Sequence, residues 1–198
     1  MRKAFFGNWV QGYWFALGLL ATSQAEAHGV HTELGGFLNG VAHPLSGLDH
    51  VLMAVAAGLL WARLAPQGIM FGLMVFAACL GVGYSSAQMQ VVLTLPEAVL
   101  AGSVLLLGLA LSSRRVQPQL MLGFIALSAL VHGLAHGLEA GQAWDLHYAA
   151  GFELASLGLF YAAALGHRLL VRQVQRQSWV NGFGALCTLL GLAWLGLG

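Results

Sequence analysis

Six apolar stretches, each long enough to cross a bilayer, fill the chain from residue 36 almost to its end. They lie at 36–61, 68–85, 91–111, 119–138, 148–170 and 179–197. The breaks between them collect the turn formers and charges: Pro66-Gln67-Gly68, Ser112-Ser113-Arg114-Arg115, Gln117-Pro118 and the polar run 172–178. Only 8% of the residues are charged, and mean hydropathy is +0.78. A soluble domain does not have this composition, so the fold class is all-α, a polytopic membrane helix bundle with six transmembrane helices.

Ahead of the first stretch, the chain reads as a cleavable signal peptide over residues 1–27. Arg2 and Lys3 give the positive start, residues 14–20 the apolar centre, and Ala25-Glu26-Ala27 a small-residue cleavage site. The six-helix domain is then 28–198, with His28 as its new first residue and His31 three positions on. A free amine beside two imidazoles is a plausible chelating end, and equally a plain tail. If the mature N-terminus is periplasmic, the loops after spans one, three and five are cytoplasmic. Those loops hold Arg63, then Arg114 and Arg115, then Arg168, Arg172 and Arg176, which are all the basic residues after the signal. The excess of Arg on one side meets the positive-inside rule and puts both mature termini in the periplasm of a bacterial inner membrane.

Against that background the ionisable residues stand out. His43, Asp49 and His50 lie in HPLSGLDH within the first stretch, and His132, His136 and Glu139 in VHGLAHGLE within the fourth. Glu97 follows Pro96 in the third, and Glu153 lies one and a half turns into the fifth. Such groups are costly in hydrocarbon and usually face a bundle interior, where they mark an ion path. In a continuous helix His43 and His50, two turns apart, share a face, and Asp49 and His50 lie about 10 Å deeper than His43. Pro44 suits the first turn of a helix and Gly47 a close backbone approach. His132 and His136, at i and i+4, share a face that Glu139 continues outward. All these groups fall between the bilayer middle and the outer surface, and imidazole with carboxylate suits a borderline divalent ion. The bland reading of each His is a helix-bridging hydrogen bond, and of each Glu a neutral, hydrogen-bonded carboxyl.

Other features are read as structural. Cys79 and Cys187 are far apart in apolar runs and read as small hydrophobes. Glycine is abundant, at 27 residues, and positions such as Gly102, Gly182 and Gly184 are expected to let helices approach closely. Trp61, Trp144 and Trp179 read as interfacial anchors, His147 as interfacial, and His167 as part of the inner surface. Because spans one and four both carry the histidines and run oppositely, a three-plus-three inverted repeat is also open. Neither a P-loop nor a dinucleotide fingerprint is present, so ATP hydrolysis is excluded.

The run from His43 to Gly58, HPLSGLDHVLMAVAAG, resembles the HPxxGxDHxxxMxxxG signature of the HupE/UreJ family of nickel and cobalt permeases. His43, Pro44, Gly47, Asp49, His50 and Gly58 fill their places, and Met53 stands one residue early. Pro96-Glu97, His132-Gly133, His136-Gly137 and Gly151-Phe152 extend the likeness over the chain. Relatives often carry a further histidine in the fifth span, where this chain has Phe160. The resemblance implies an inner-membrane protein moving Ni²⁺ or Co²⁺ from periplasm to cytoplasm, with His43, Asp49 and His50 contacting the metal.

The function expected is therefore a secondary transporter or channel-like permease, not an enzyme. The metal is cargo; no resident cofactor is expected. Candidate metal ligands are His43, Asp49, His50, His132, His136, His28, His31, Glu97, Glu139 and Glu153. The expected partners are the divalent ion and membrane lipid, with no nucleic acid; a homo-oligomer is allowed. The main rival is an intramembrane zinc-dependent hydrolase using Ser46, Asp49, His50, His132 and His136. A haem protein ligated by histidines on facing spans, or a metal-binding sensor subunit, are further alternatives.

Overall fold

The computed structural model describes residues 36–89, 95, 97–113, 115–140, 145–170 and 176–197. The signal segment, His28, His31, Pro96, Arg114, Trp144 and Arg172 lie outside the described residues. Among the described residues the chain forms helices α1 (Gly36–Ser46), α2 (Leu48–Leu64), α3 (Ile69–Gln88), α4 (Glu97–Ser112), α5 (Pro118–Glu139), α6 (Leu146–Leu170) and α7 (Arg176–Leu197). Four of them, α3, α5, α6 and α7, are long and apolar enough to cross a membrane alone, and α1 with α2 passes as a fifth, bent crossing. The third expected stretch is represented by α4, a shorter apolar helix of 16 residues. Large apolar side chains stand exposed on the outer faces, among them Phe71, Met74, Leu127, Leu154, Leu169 and Leu189. Lipid, not water, matches such a surface.

The first stretch is not one straight helix. α1 and α2 meet at 79° with the single residue Gly47 between them. Pro44 therefore sits near the C-terminal end of α1, not in the first turn of a helix as its sequence context suggests. The local chemistry explains the break. Ser46 Oγ and the Gly47 N–H both donate to the His43 carbonyl, and Gly47 then turns to an extended ψ of 115°. Pro44 has no N–H to give to the Gly40 carbonyl, and glycine disfavours helix by about 1 kcal/mol relative to alanine, so the ladder is weakened over this turn and gives way at Gly47.

Glycines set how the helices pair. A methyl on Gly40 would strike the Tyr148 carbonyl, and one on Gly151 the Phe37 carbonyl, so α1 and α6 touch backbone to backbone. The same register recurs between α3 and α5: Gly83 lies on the Leu130 carbonyl and Gly133 on that of Leu80. Between α4 and α7, Gly108 and Gly184 each meet the other's carbonyl, at 2.6 and 2.8 Å from the positions a Cβ would take. Gly102 and Gly182, by contrast, face open space. Small residues thus serve close packing as expected; of the three positions singled out, Gly184 does so, and Gly102 and Gly182 do not.

These contacts also give directions. Gly36 meets Asp145, Gly40 meets Tyr148 and Gly58 meets Phe160, so the first crossing and α6 run in the same sense. Gly133 on Leu80 and Gly137 on Tyr84 make α3 and α5 parallel, while Gly108 on Gly184 and Gly191 on Ala101 make α4 and α7 antiparallel. The core is largely apolar, with Met53, Leu60, Phe76, Leu80, Ile125 and Phe160 at 2% exposure or less. Trp61 belongs to it and is not a lipid-facing anchor: it fills the notch left by Gly72, and its Nε1 donates to the Gly68 carbonyl at 2.8 Å. Trp179, at 78% exposure, does face outward.

Candidate metal centre

The break at Gly47 makes the site. It leaves His43 in the last turn of α1 and puts Asp49 and His50 in the first turn of α2. His43 and His50 therefore do not share a helical face; the bend, not the seven-residue spacing, brings their rings to 6.0 Å. Gly47 does give the close approach expected of it, since a Cβ there would lie 2.5 Å from His50 Cδ2. The ring of His50 folds back over its own helix start only because that carbon is absent.

α5 supplies the opposite wall. Its His132 and His136 are buried completely, one turn apart. Each is followed by a glycine, Gly133 and Gly137, that seats α5 on α3 at the Leu80 and Tyr84 carbonyls. The HG repeat thus turns imidazole toward α1 and α2 and bare backbone toward α3. His136 lies 4.6 Å from His43 and 4.1 Å from His50, and His132 lies 5.3 Å from His50, all between ring centroids.

Two carboxylates complete the arrangement. Asp49 Oδ2 is 3.1 Å from His50 Nδ1. Glu139 Oε2 lies 3.0 Å from His43 Nε2 and 3.4 Å from His136 Nδ1, bridging two rings at the half-exposed end of the cluster. Helix α2 points its positive end at four imidazoles, an unfavourable field for a cation. Asp49 in its first turn and Glu139 opposite offset that field. A hydrogen bond fixes one ring: His132 Nδ1–H donates to the Ser128 carbonyl at 2.9 Å, leaving the Nε2 lone pair available to a ligand.

The donor atoms form two overlapping groups. His43, His50 and His136 offer ligand atoms within 4.8 Å of one another, and so do Asp49, His50 and His132. His50 belongs to both. Bonds of about 2.1 Å place tetrahedral ligand atoms about 3.4 Å apart, so closing either group needs side-chain movements of the order of 1 Å. The demand for a ligand is visible in the polar atoms. His132 Nε2 and His136 Nε2 are buried without a hydrogen-bond partner among the described residues. His50 Nδ1 and His136 Nδ1 have their carboxylates within ion-pair distance but out of hydrogen-bond alignment. Each unmade bond costs about 1–3 kcal/mol, which a bound cation would recover.

Glu97 and Glu153 stand apart from both groups. Glu97 is exposed in the first turn of α4, and Glu153 is half-buried where α6 passes Gly81 of α3. His147 is exposed beside Asp145, whose Oδ1 accepts the backbone N–H groups of His147 and Tyr148. Cys79 and Cys187 are free. Residue spacing did not disclose the aromatic wall: Phe152 packs 4.2 Å from His136, Tyr148 5.9 Å from His43, and Tyr84 6.3 Å from Phe152. Gly151-Phe152 is legible as a pair, but only the contact with α1 shows that the glycine brings the ring to the site.

The fold and site define a membrane-embedded helix bundle with a His/Asp/Glu centre suited to a divalent cation. The chain matches the family model for HupE / UreJ protein over residues 16–194. It is 30% identical over 151 residues, 75% of this chain, to Protein HupE of Rhizobium leguminosarum bv. viciae, covering 78% of that protein. The chain belongs to the HupE/UreJ family. No solved structure matches it.

Proposed function

We propose that the chain is a permease carrying Ni²⁺ or Co²⁺ from periplasm to cytoplasm across the bacterial inner membrane. The observation that carries this reading is the pair of three-ligand groups sharing His50. Hydrated metal enters at Glu139 and His43, with His28 and His31 as collectors on the N-terminal segment. It first loses water to His43, His50 and His136. His132 lies one turn, about 6 Å, further inward on α5 than His136. Transfer to the Asp49, His50 and His132 group exchanges two ligands and keeps one. Mixed nitrogen and oxygen ligands in open groups hold an ion loosely enough to release it. An inward-negative potential favours a divalent cation by about 4.6 kcal/mol per 100 mV.

Helix directions support six crossings, because alternating spans require the first and fifth, and the second and fourth, to run in the same sense. They require the third and sixth to run oppositely, as α4 and α7 do. An even count puts both mature termini on one side, and the arginines of the alternate loops support the periplasmic side. The hydrolase reading has less support, since the Ser46 hydroxyl donates to the His43 carbonyl of its own turn.

The test is uptake of radiolabelled Ni²⁺ by cells lacking their own nickel importers, comparing the intact chain with Asp49→Ala and His50→Ala at equal membrane abundance. Loss of uptake in both variants is expected. An abundant intact chain that takes up neither nickel nor cobalt refutes the permease.

A further inference from the structure

The ligand face of α2 continues inward past His50. Successive helical side chains turn by about 100°, so Asp49 and His50 diverge by that angle. Met53 lies about 40° from the first and about 60° from the second, between the two directions, and about 5 Å further along the axis. It is buried, at 2% exposure. Residue 54, where the HupE/UreJ signature has its methionine, stands one turn before Gly58 on the side that rests against Phe160 of α6. The one-residue shift in this chain therefore swings the thioether from the α6 side to the ligand side.

α5 continues the opposite wall. His43 meets His136 and Glu139, whereas His50 meets His136 and His132, so α2 and α5 run antiparallel past each other. Ser128 is buried four residues before His132, about 6 Å inward on nearly the same face, and its carbonyl holds the His132 ring. Met53 and Ser128 thus stand at one depth, a turn below the Asp49, His50 and His132 group. Leu60, Phe76, Ile125 and Phe160 fill the core beyond, fully buried and without a lone pair to offer. Met70, Met74 and Met89 are exposed, whereas Met121 is buried like Met53. Met121 lies on α5 eleven residues, about three turns, before His132 and on its face.

The inner ligand group is itself unfinished. His132 Nε2 is buried with no hydrogen-bond partner among the described residues. Three ligands leave a four-coordinate ion one short. On the inward side, Met53 offers a thioether for that place. Thioether sulfur is polarizable and suits softer ions, whereas Mg²⁺ and Mn²⁺ suit oxygen.

We infer that Met53 is an inward ligand for the transported ion, taking the open place on the Asp49, His50 and His132 group and favouring Ni²⁺ or Co²⁺ over hard cations. This rests on the permease reading. It also gives the ion a step inward from His132 before the apolar core, with sulfur replacing a departing outer ligand.

Met53→Leu tests this, because leucine keeps the bulk and apolarity and removes the sulfur. An unchanged melting temperature of the metal-free protein will show that the variant is folded. X-ray absorption at the nickel edge of the purified, nickel-loaded full chain should show a sulfur neighbour besides nitrogen and oxygen, absent in Met53→Leu. In lipid vesicles the variant's maximal rate of Ni²⁺ uptake should fall by about tenfold, the order of loss when a metal site loses one supporting group. Its apparent KM should hold, since entry at His43 and His136 is untouched. Excess Mn²⁺ should inhibit nickel uptake by the variant and spare the intact chain. An intact chain without the sulfur neighbour, a variant that keeps it, an undiminished maximal rate, or equal inhibition by manganese overturns the inference. No uptake of nickel or cobalt by the intact chain refutes the permease instead, and the sulfur neighbour then decides the ligand alone.

Discussion

Replacing His136 with leucine should make the metal-free protein more stable while removing its response to metal. His136 is fully buried, its Nε2 has no hydrogen-bond partner among the described residues, and its Nδ1 lies 3.4 Å from Glu139 out of hydrogen-bond alignment. Leucine fills a similar volume, packs against Phe152, and carries no polar atom to desolvate. Relief of one orphaned nitrogen is worth about 1–3 kcal/mol. The poorly aligned carboxylate contact gives back only part of that. The intact protein recovers its deficit when loaded, because an ion at a hundred times its dissociation constant stabilises by about 2.7 kcal/mol. The order of stability therefore inverts on adding nickel. The variant is the more stable without metal, and the intact chain is level or ahead with it. Thermal unfolding in detergent, with and without Ni²⁺, reads both differences as shifts of a few degrees. A variant less stable without metal, or one that keeps the full nickel-induced shift, refutes the argument that these imidazoles are held unsatisfied for a cation.

Other substitutions separate packing from chemistry. Gly133→Ala should destabilise by about 1–3 kcal/mol, since its methyl meets the Leu80 carbonyl, whereas Gly102→Ala, facing open space, should be neutral or slightly stabilising; both are read by melting. Arg63→Ala should cost about 1.5–3 kcal/mol, also by melting, because its guanidinium donates to the Ala110 and Leu111 carbonyls at the end of α4 at 2.8 and 2.7 Å. Nickel binding, followed by calorimetry, should weaken as pH is lowered, because protons and metal compete for the same imidazole nitrogens. A pH-independent affinity would argue against histidine ligation.

Much of the fold was legible because hydrocarbon imposes a simple rule: backbone groups must be satisfied within a helix, so apolar stretches become helices. Residues 68–85, 119–138, 148–170 and 179–197 each correspond to an observed helix, with ends displaced by a few residues. The first stretch was misjudged because hydropathy is blind to φ and ψ. HPLSGLDH has the apolarity of a span, but Pro44 and Gly47 set its shape. Glycine roles were only half legible for a related reason. A small residue permits close approach, yet which one is used depends on the facing helix, so Gly133 packs and Gly102 does not. Trp61 misled similarly, since an aromatic near a span end reads as an anchor until the notch at Gly72 is seen.

The site was legible in its residue types and less so in its geometry. An ideal helix through residues 36–61 would set His43 and His50 about 10 Å apart along one face, too far to share an ion. The break resolves this by making one motif behave as two helix ends. The last turn of α1 presents His43 and the first turn of α2 presents Asp49 and His50, with α5 closing over both. The same break explains why a carboxylate stands immediately before the shared histidine. A helix start carries about half a positive charge, and a cation brought to it needs an anion within the first turn. Asp49 meets that need beside the one imidazole common to both ligand groups. On the path proposed above, an ion passing from the His43 and His136 side to the His132 side would keep His50 as a ligand throughout and would exchange ligands without ever being bare.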